Sequence, residues 1–258
     1  MNNTVFYLLQ GNSCSGSTGR LRRLGLNIVD SDYFGNVESI EEFIKYAIKE
    51  MQEKITSAKI VIVGSSFGGH LLLYLVVALI RSNDGILKKI IGVVLTGTPP
   101  SGTPERIARA FLPPAETVEP GGRSVLELLA APDVMTDAEA RRFVLPAFGP
   151  STEYDHQSLI EENIKNVTTN SNMGKTRHGI LSSLSTDEFE LAQIIIKRMK
   201  MLFINAAKDP VISRPYVEEV ARDLGAPLKV IDGYHYSHWS NAEEFADILT
   251  SFAVECNQ

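Results

Sequence analysis

Cysteine is scarce in this sequence: Cys14 and Cys256 are the only two in 258 residues, and they stand near opposite ends. Residues so placed make neither a disulfide framework nor a metal-ligand pattern, and a reduced, cytoplasmic setting is the default expectation. Long apolar runs are missing too. The longest, Leu71 to Ile80, is too short to cross a bilayer and suits a buried helix, so no membrane partner is expected. Met1-Asn2-Asn3-Thr4 carries no positive charge ahead of an apolar stretch and does not read as a signal peptide. Basic charge is also short: 25 Lys and Arg face 31 Asp and Glu, a formal net charge of −6. That balance argues against nucleic acid as a partner, since phosphate binding needs clustered Lys and Arg, and Arg20, Arg22 and Arg23 form only a small cluster. No internal repeat or low-complexity segment is present.

The composition, 44% hydrophobic and 22% charged, is that of an ordinary globular chain. Its length allows a large α/β domain or a core with an inserted subdomain. Strand and helix patterns alternate at both ends, the signature of a parallel sheet covered by helices. Strands are expected at Thr4–Leu9, Leu26–Val29, Lys59–Val63, Ile90–Leu95, Met201–Asn205 and Leu228–Ile231. Between the second and third, Ile40, Phe43, Ile44, Ala47, Ile48, Met51 and Ile55 recur at helical spacing. Further helices are expected at Leu71–Ile80, Pro215–Leu224 and Ala242–Val254. The rhythm breaks at Thr98-Pro99-Pro100, and prolines recur up to Pro150. Short helical patterns at Ser124–Ala130, Thr136–Val144 and Asp187–Arg198 suggest a mostly helical insert over 99–197, within a core made of 1–98 and 198–258.

The segment Val63-Gly64-Ser65-Ser66-Phe67-Gly68-Gly69 lies between an expected strand and an expected helix. A nucleophile on so sharp a turn needs small residues two before and two after it. Ser66 has Gly64 and Gly68 there, whereas Ser65 would have Val63 and Phe67. The turn also sets Ser66 at a helix N-terminus, where free N–H groups favour developing negative charge. The plain alternative is a glycine-eased turn with Ser66 as a helix cap.

With these residues the chain resembles the α/β-hydrolase superfamily, over residues 4–98 and roughly 200–258. The resemblance implies a mostly parallel sheet; with the first strand starting at Thr4, the superfamily's first antiparallel edge strands are expected to be missing, which leaves about six strands. The segment 99–197 takes the place of its lid or cap. It also implies a chain order of nucleophile, acid and histidine. Asp209, after the strand Met201–Asn205 and before Pro210, matches the acid, although an Asp-Pro pair is also a common turn. Tyr234-His235-Tyr236-Ser237-His238-Trp239 resembles the histidine loop of family esterases and C–C bond hydrolases. There a Gly-His pair lies ten residues before the Phe of a Glu-Glu-Phe helix start, and counting back from Phe245 gives His235. Tyr234 stands where Gly is usual, and His238 remains an alternative base. His70, His156 and His178 read as ordinary loop or surface histidines, with lining of the insert as the alternative for the last two.

An acyl-transfer site needs N–H donors aimed at the oxyanion. The resemblance assigns them to Phe67 and to the loop after the first strand, where Gln10 replaces the usual His and Asn12 is the donor expected, with the Ser13 side chain as a further contributor. Gly11-x-x-x-x-Gly16-Ser17-Thr18 also partly matches a phosphate-binding loop. Ser17 stands where the mechanism needs Lys, and no later strand is expected to end in an acidic residue apt for Mg²⁺. Cys14, without an adjacent basic partner, reads as a small packing side chain. The resemblance thus implies an acyl-enzyme mechanism with Ser66, His235 and Asp209, without metal or organic cofactor, on a small or medium acyl compound. Carboxylic esters lead, followed by C–C bond or thioester cleavage; a non-enzymatic small-molecule receptor is the reading from another class.

Overall fold

Successive side chains of a strand point to opposite faces, and here both faces are apolar. The computed structural model describes residues 3–11, 17–56, 58–101, 103–110, 133–151, 154–183 and 186–258. Six strands form one sheet: β1 (Thr4–Leu9), β2 (Ile28–Asp30), β3 (Lys59–Ser65), β4 (Ile90–Thr96), β5 (Lys200–Ala206) and β6 (Leu228–Ile231). Their order is β2-β1-β3-β4-β5-β6, and every neighbouring pair is parallel. Val5, Tyr7, Ile60, Ile62, Val93 and Leu95 face a layer formed by the helices Ile40–Lys54, Phe67–Ser82, Glu188–Ile196 and Arg214–Leu224. Phe6, Leu8, Val61, Val63 and Val94 face the short helix Gly19–Arg23 and the closing helix Ala242–Cys256. Continuous apolar strands require this double cover.

The helix Ile40–Lys54 starts where Ser39 accepts a hydrogen bond from the Glu42 N–H, and it buries Ile40, Phe43, Ala47 and Met51. Glu50 shares that buried face. Tyr7 donates to its carboxylate at 2.6 Å and Lys54 pairs with it at 2.7 Å, so the charge is compensated.

Among the described residues no strand lies between β4 and β5. A capping box of Thr136 and Glu139 opens the helix Asp137–Phe148. This helix packs with Tyr154–Thr169 around Phe143, Val144, Phe148, Leu159, Ile160 and Ile164, a third cluster that also takes in Tyr236 and Trp239. Glu188–Ile196, by contrast, places Leu191, Ala192 and Ile195 in the main core against the sheet. The helical pattern expected at Ser124–Ala130 lies outside the described residues.

Strand order sets the position of the site. From β1 the chain moves outward to β2, then crosses back to β3 and continues outward the other way. The order reverses between β1 and β3, and in open parallel sheets sites form at the C-terminal strand ends beside such a reversal.

Candidate active site

Ser66 follows β3 directly and precedes the helix Phe67–Ser82. Its backbone has φ 52° and ψ −124°, and its hydroxyl makes no capping bond to that helix. Such a conformation costs a non-glycine residue on the order of 1–3 kcal/mol and persists only where its surroundings hold it. They do so here. The Ser66 N–H donates to Thr96 O at 3.0 Å, and the Thr98 hydroxyl donates to Ser66 O at 2.6 Å. A Cβ on Gly64 would lie 2.5 Å from Gly69 Cα, and one on Gly68 would run into the Leu9 carbonyl. The glycine requirement read from the sequence thus has a steric cause. Phe67, as first residue of the helix, has no acceptor within it for its N–H.

The loop after β1 meets the elbow at Gly11, where a Cβ would lie 2.6 Å from Ser66 Cβ. Gln10 turns away from Ser66: its Nε2 donates to Asp30 Oδ1 at 2.9 Å, and its carbonyl accepts from Tyr33 at 2.5 Å. Asn12, Ser13, Cys14 and Gly16 lie outside the described residues. β2 ends on Asp30, so one strand does end in an acidic residue, contrary to expectation; the strand starts and stops later than its apolar run suggested. That carboxylate is occupied by Gln10, Thr18 and Arg22.

Asp209 and His235 come together from loops after β5 and β6. His235 Nδ1 lies 2.9 Å from Asp209 Oδ2, and both side chains are buried. The other carboxylate oxygen, Oδ1, accepts from the N–H groups of Val211 (2.8 Å) and Ile212 (3.0 Å). Three hydrogen bonds thus hold the Asp209 carboxylate in place, and it orients the imidazole. The ring rests over Gly97, where a Cβ would lie 3.0 Å from His235 Cε1. Gly97 follows Thr96, the acceptor of the Ser66 N–H, so His235 and Ser66 belong to one corner of the sheet. Among the described residues the Ser66 hydroxyl has no hydrogen-bond partner.

His238 is placed differently. Its Nε2 lies 2.7 Å from Ser17 Oγ, both side chains are fully buried, and Nδ1 has no partner among the described residues. Burial, helped by nearby His235, pushes its pKa down to about 3, so it is neutral at ordinary pH.

Two networks escaped the sequence reading. His70 Nδ1 lies 2.8 Å from Glu188 Oε2, which also accepts from the Ser101 N–H (2.8 Å) and hydroxyl (3.1 Å). Burial pulls the His70 pKa down, but the Glu188 charge and bond carry it above its usual value. Burial likewise opposes the Glu188 charge, yet His70 and Ser101 hold that carboxyl below its usual value. The second network is His156 with Trp239 and Gly149, and His156 is buried. Residues so far apart in sequence leave no spacing signal. His178, by contrast, is exposed.

Among the described residues no three His, Cys, Asp or Glu are grouped so as to hold a metal ion. No described helix is long and apolar enough to cross a membrane.

Solved structures share the fold at low identity. MenH from S. aureus superposes with TM-score 0.69 at 18% identity, covering 100% of this chain and 96% of its own. A thermophilic esterase from Thermogutta terrifontis gives 0.67 at 16% identity, covering 99% and 90%. A bromoperoxidase from Bacillus anthracis gives 0.67 at 16%, covering 98% and 92%. No curated protein sequence matches. A family model described as the alpha/beta hydrolase family matches residues 14–248, nearly the whole chain. Together with the doubly covered parallel sheet and the elbow at Ser66, that match means that this chain belongs to the alpha/beta hydrolase family.

Proposed function

We propose that the chain is a serine hydrolase that cleaves a small or medium acyl compound, a carboxylic ester foremost, through an acyl-enzyme on Ser66. The observation that carries this reading is the held, strained backbone of Ser66, whose uncommitted hydroxyl stands at the corner where the His235–Asp209 pair rests. A hydroxyl attacks a carbonyl only if a base takes its proton as the bond forms. His235 is that base, and Asp209 on its Nδ1 keeps Nε2 free to receive the proton. Serine–base bonds often tighten only when substrate is present, so the unbonded hydroxyl is compatible with this role.

His238 is a poor rival. A base held near pKa 3 has little tendency to take a proton at neutral pH, and its Nε2 is bound to Ser17. As the carbonyl carbon becomes tetrahedral, its oxygen gains charge. The Phe67 N–H stabilises that charge, with the Asn12 N–H as second donor. His235 returns the proton to the leaving group, and water then repeats the sequence on the acyl-enzyme. The chemistry uses neither metal nor organic cofactor, and the partner is the small-molecule substrate itself. Most of the segment 99–197 serves as a cap over the site, supported by the separate apolar cluster of its helices. Two cysteines far apart suit a cytoplasmic setting.

The test is labelling by a fluorophosphonate probe together with a panel of short p-nitrophenyl esters. The unmodified chain should label and turn over at least one ester. Ser66→Ala should abolish both, and His235→Ala should depress turnover on the order of 10⁴-fold, far more than His238→Ala. An unreactive native chain, or the opposite ranking of the two histidines, would overturn the assignment.

A further inference from the structure

The turn that carries His235 is gripped from several sides. On its N-terminal side, Tyr234 lies against Gly149, which has φ +77° and ends the helix Asp137–Phe148; a Cβ at Gly149 would run into the Tyr234 ring. On its C-terminal side, the Tyr236 N–H donates to Ala147 O at 3.1 Å. The one-turn helix Ser237–Ser240 then holds His238 against Ser17 and Trp239 against Arg20, whose guanidinium lies 4.1 Å from the ring centre. Finally, the Trp239 Nε1–H donates to His156 Nδ1 at 2.8 Å.

An indole N–H can only donate. Nδ1 of His156 is therefore the acceptor, and the ring proton sits on Nε2, which donates to Gly149 O at 2.9 Å. The ring is neutral and both nitrogens are used. His156 is 2% exposed and Trp239 4%, so water does not compete for these bonds. One side chain on the helix Tyr154–Thr169 thus ties together the residue packed against Tyr234, just before His235, and Trp239, four residues after it.

We propose that His156 is a positioning residue for His235. By bridging Gly149 and Trp239 it fixes the turn Tyr234–Trp239, and so couples the helices between β4 and β5 to the proton-transfer step. Ser66 is held from the ends of neighbouring strands instead, so a shift of those helices acts on the base before it acts on the nucleophile. The inference rests on the reading of His235 as the base.

The experiment compares His156→Leu, Trp239→Phe, their double variant and His156→Gln in the full chain, with kcat and KM for an ester that the native chain hydrolyses. A misplaced base lowers kcat while leaving substrate affinity alone. Each single variant should lose about tenfold in kcat with KM within about twofold. The double variant should lose no more than the worse single one, because both break the same link. His156→Gln should come back to within about threefold, since its amide offers an oxygen to Trp239 and an N–H to Gly149. Single variants with native kcat, or losses that multiply in the double, would overturn the proposal. A measurement that does not use activity separates it from the hydrolase reading: the NMR signal of the His235 Nδ1 proton facing Asp209 should shift or broaden in both single variants. An unchanged signal overturns the positioning role, whereas absent turnover and probe labelling in the native chain overturn the hydrolase reading alone.

Discussion

His238 should make the protein sensitive to acid, and the size of the effect can be worked out. Its pKa is about 3 in the folded chain and 6.5 in the unfolded one. The folded pKa is the depressed one, so between those values the unfolded state binds a proton that the folded state refuses. Stability therefore falls as pH falls. At pH 5 the free energy of that extra proton uptake is RT times the logarithm of about 33, or roughly 2 kcal/mol; at pH 7 it is only about 0.2 kcal/mol. Because pH 5 stands well above the folded pKa, the result depends almost wholly on the unfolded one. His238→Gln keeps a group within reach of Ser17 but cannot titrate. Urea unfolding of both chains at pH 7 and pH 5 isolates the term, since all other titrations are shared. Relative to the variant, the native chain should lose about 2 kcal/mol between the two pH values. With an m value near 3 kcal/mol per molar, that is a midpoint change of about 0.7 M. Parallel pH dependences in the two chains would refute the argument that His238 is buried neutral.

Two further outcomes are expected. Gly97→Ala puts a methyl 3.0 Å from His235 Cε1 at φ +56°, so probe labelling of Ser66 should slow by tenfold or more, against a stability loss of about 1–2 kcal/mol; native labelling rates would show that His235 does not rest there. Glu188→Gln should cost about 3 kcal/mol by leaving His70, 16% exposed, without its buried counter-charge. The stability from His70, whose pKa is raised, is full below 6.5 and is lost as pH rises through its folded value; that from Glu188, whose pKa is lowered, is present above 4.5 and is lost as pH falls through its folded value. The gap between native and Glu188→Gln chains in urea should accordingly be widest between pH 4.5 and 6.5 and narrow toward alkaline pH; a flat gap would mean that the pair is not ionised.

Much of the core was legible because its strands are short, β-branched and bounded by glycine or polar residues. Thr4–Leu9 and Leu228–Ile231 end where their patterns end. β2 was misplaced because Leu26 and Asn27 carry apolar and turn signals that an edge strand does not sort out. The helix Tyr154–Thr169 was missed although its buried stripe, His156, Leu159, Ile160, Asn163, Ile164 and Val167, has helical spacing. Polar His156 and Asn163 interrupt the stripe, and each donates to a backbone carbonyl there: Gly149 O for His156 and Leu159 O for Asn163. At the candidate site, the turn at Ser66 follows from local sterics, while Asp209 and His235 were singled out by chain order and a count back from Phe245, and the fold brings that pair to 2.9 Å. The contacts of His238 with Ser17 and of Trp239 with His156 arise only from packing between distant segments, which periodicity does not record.

Thr96, Gly97 and Thr98 act as a gauge block for this corner of the molecule. The first accepts from the Ser66 N–H, the third donates to the Ser66 carbonyl, and the middle one is the bearing surface under His235. Both side chains thus take one common reference, three consecutive residues at the exit of β4. The chain leaves for its helical excursion only after the last of them. Variation beyond Thr98 therefore leaves the seat of Ser66 at its factory setting and reaches the pair through the grip on the His235 turn.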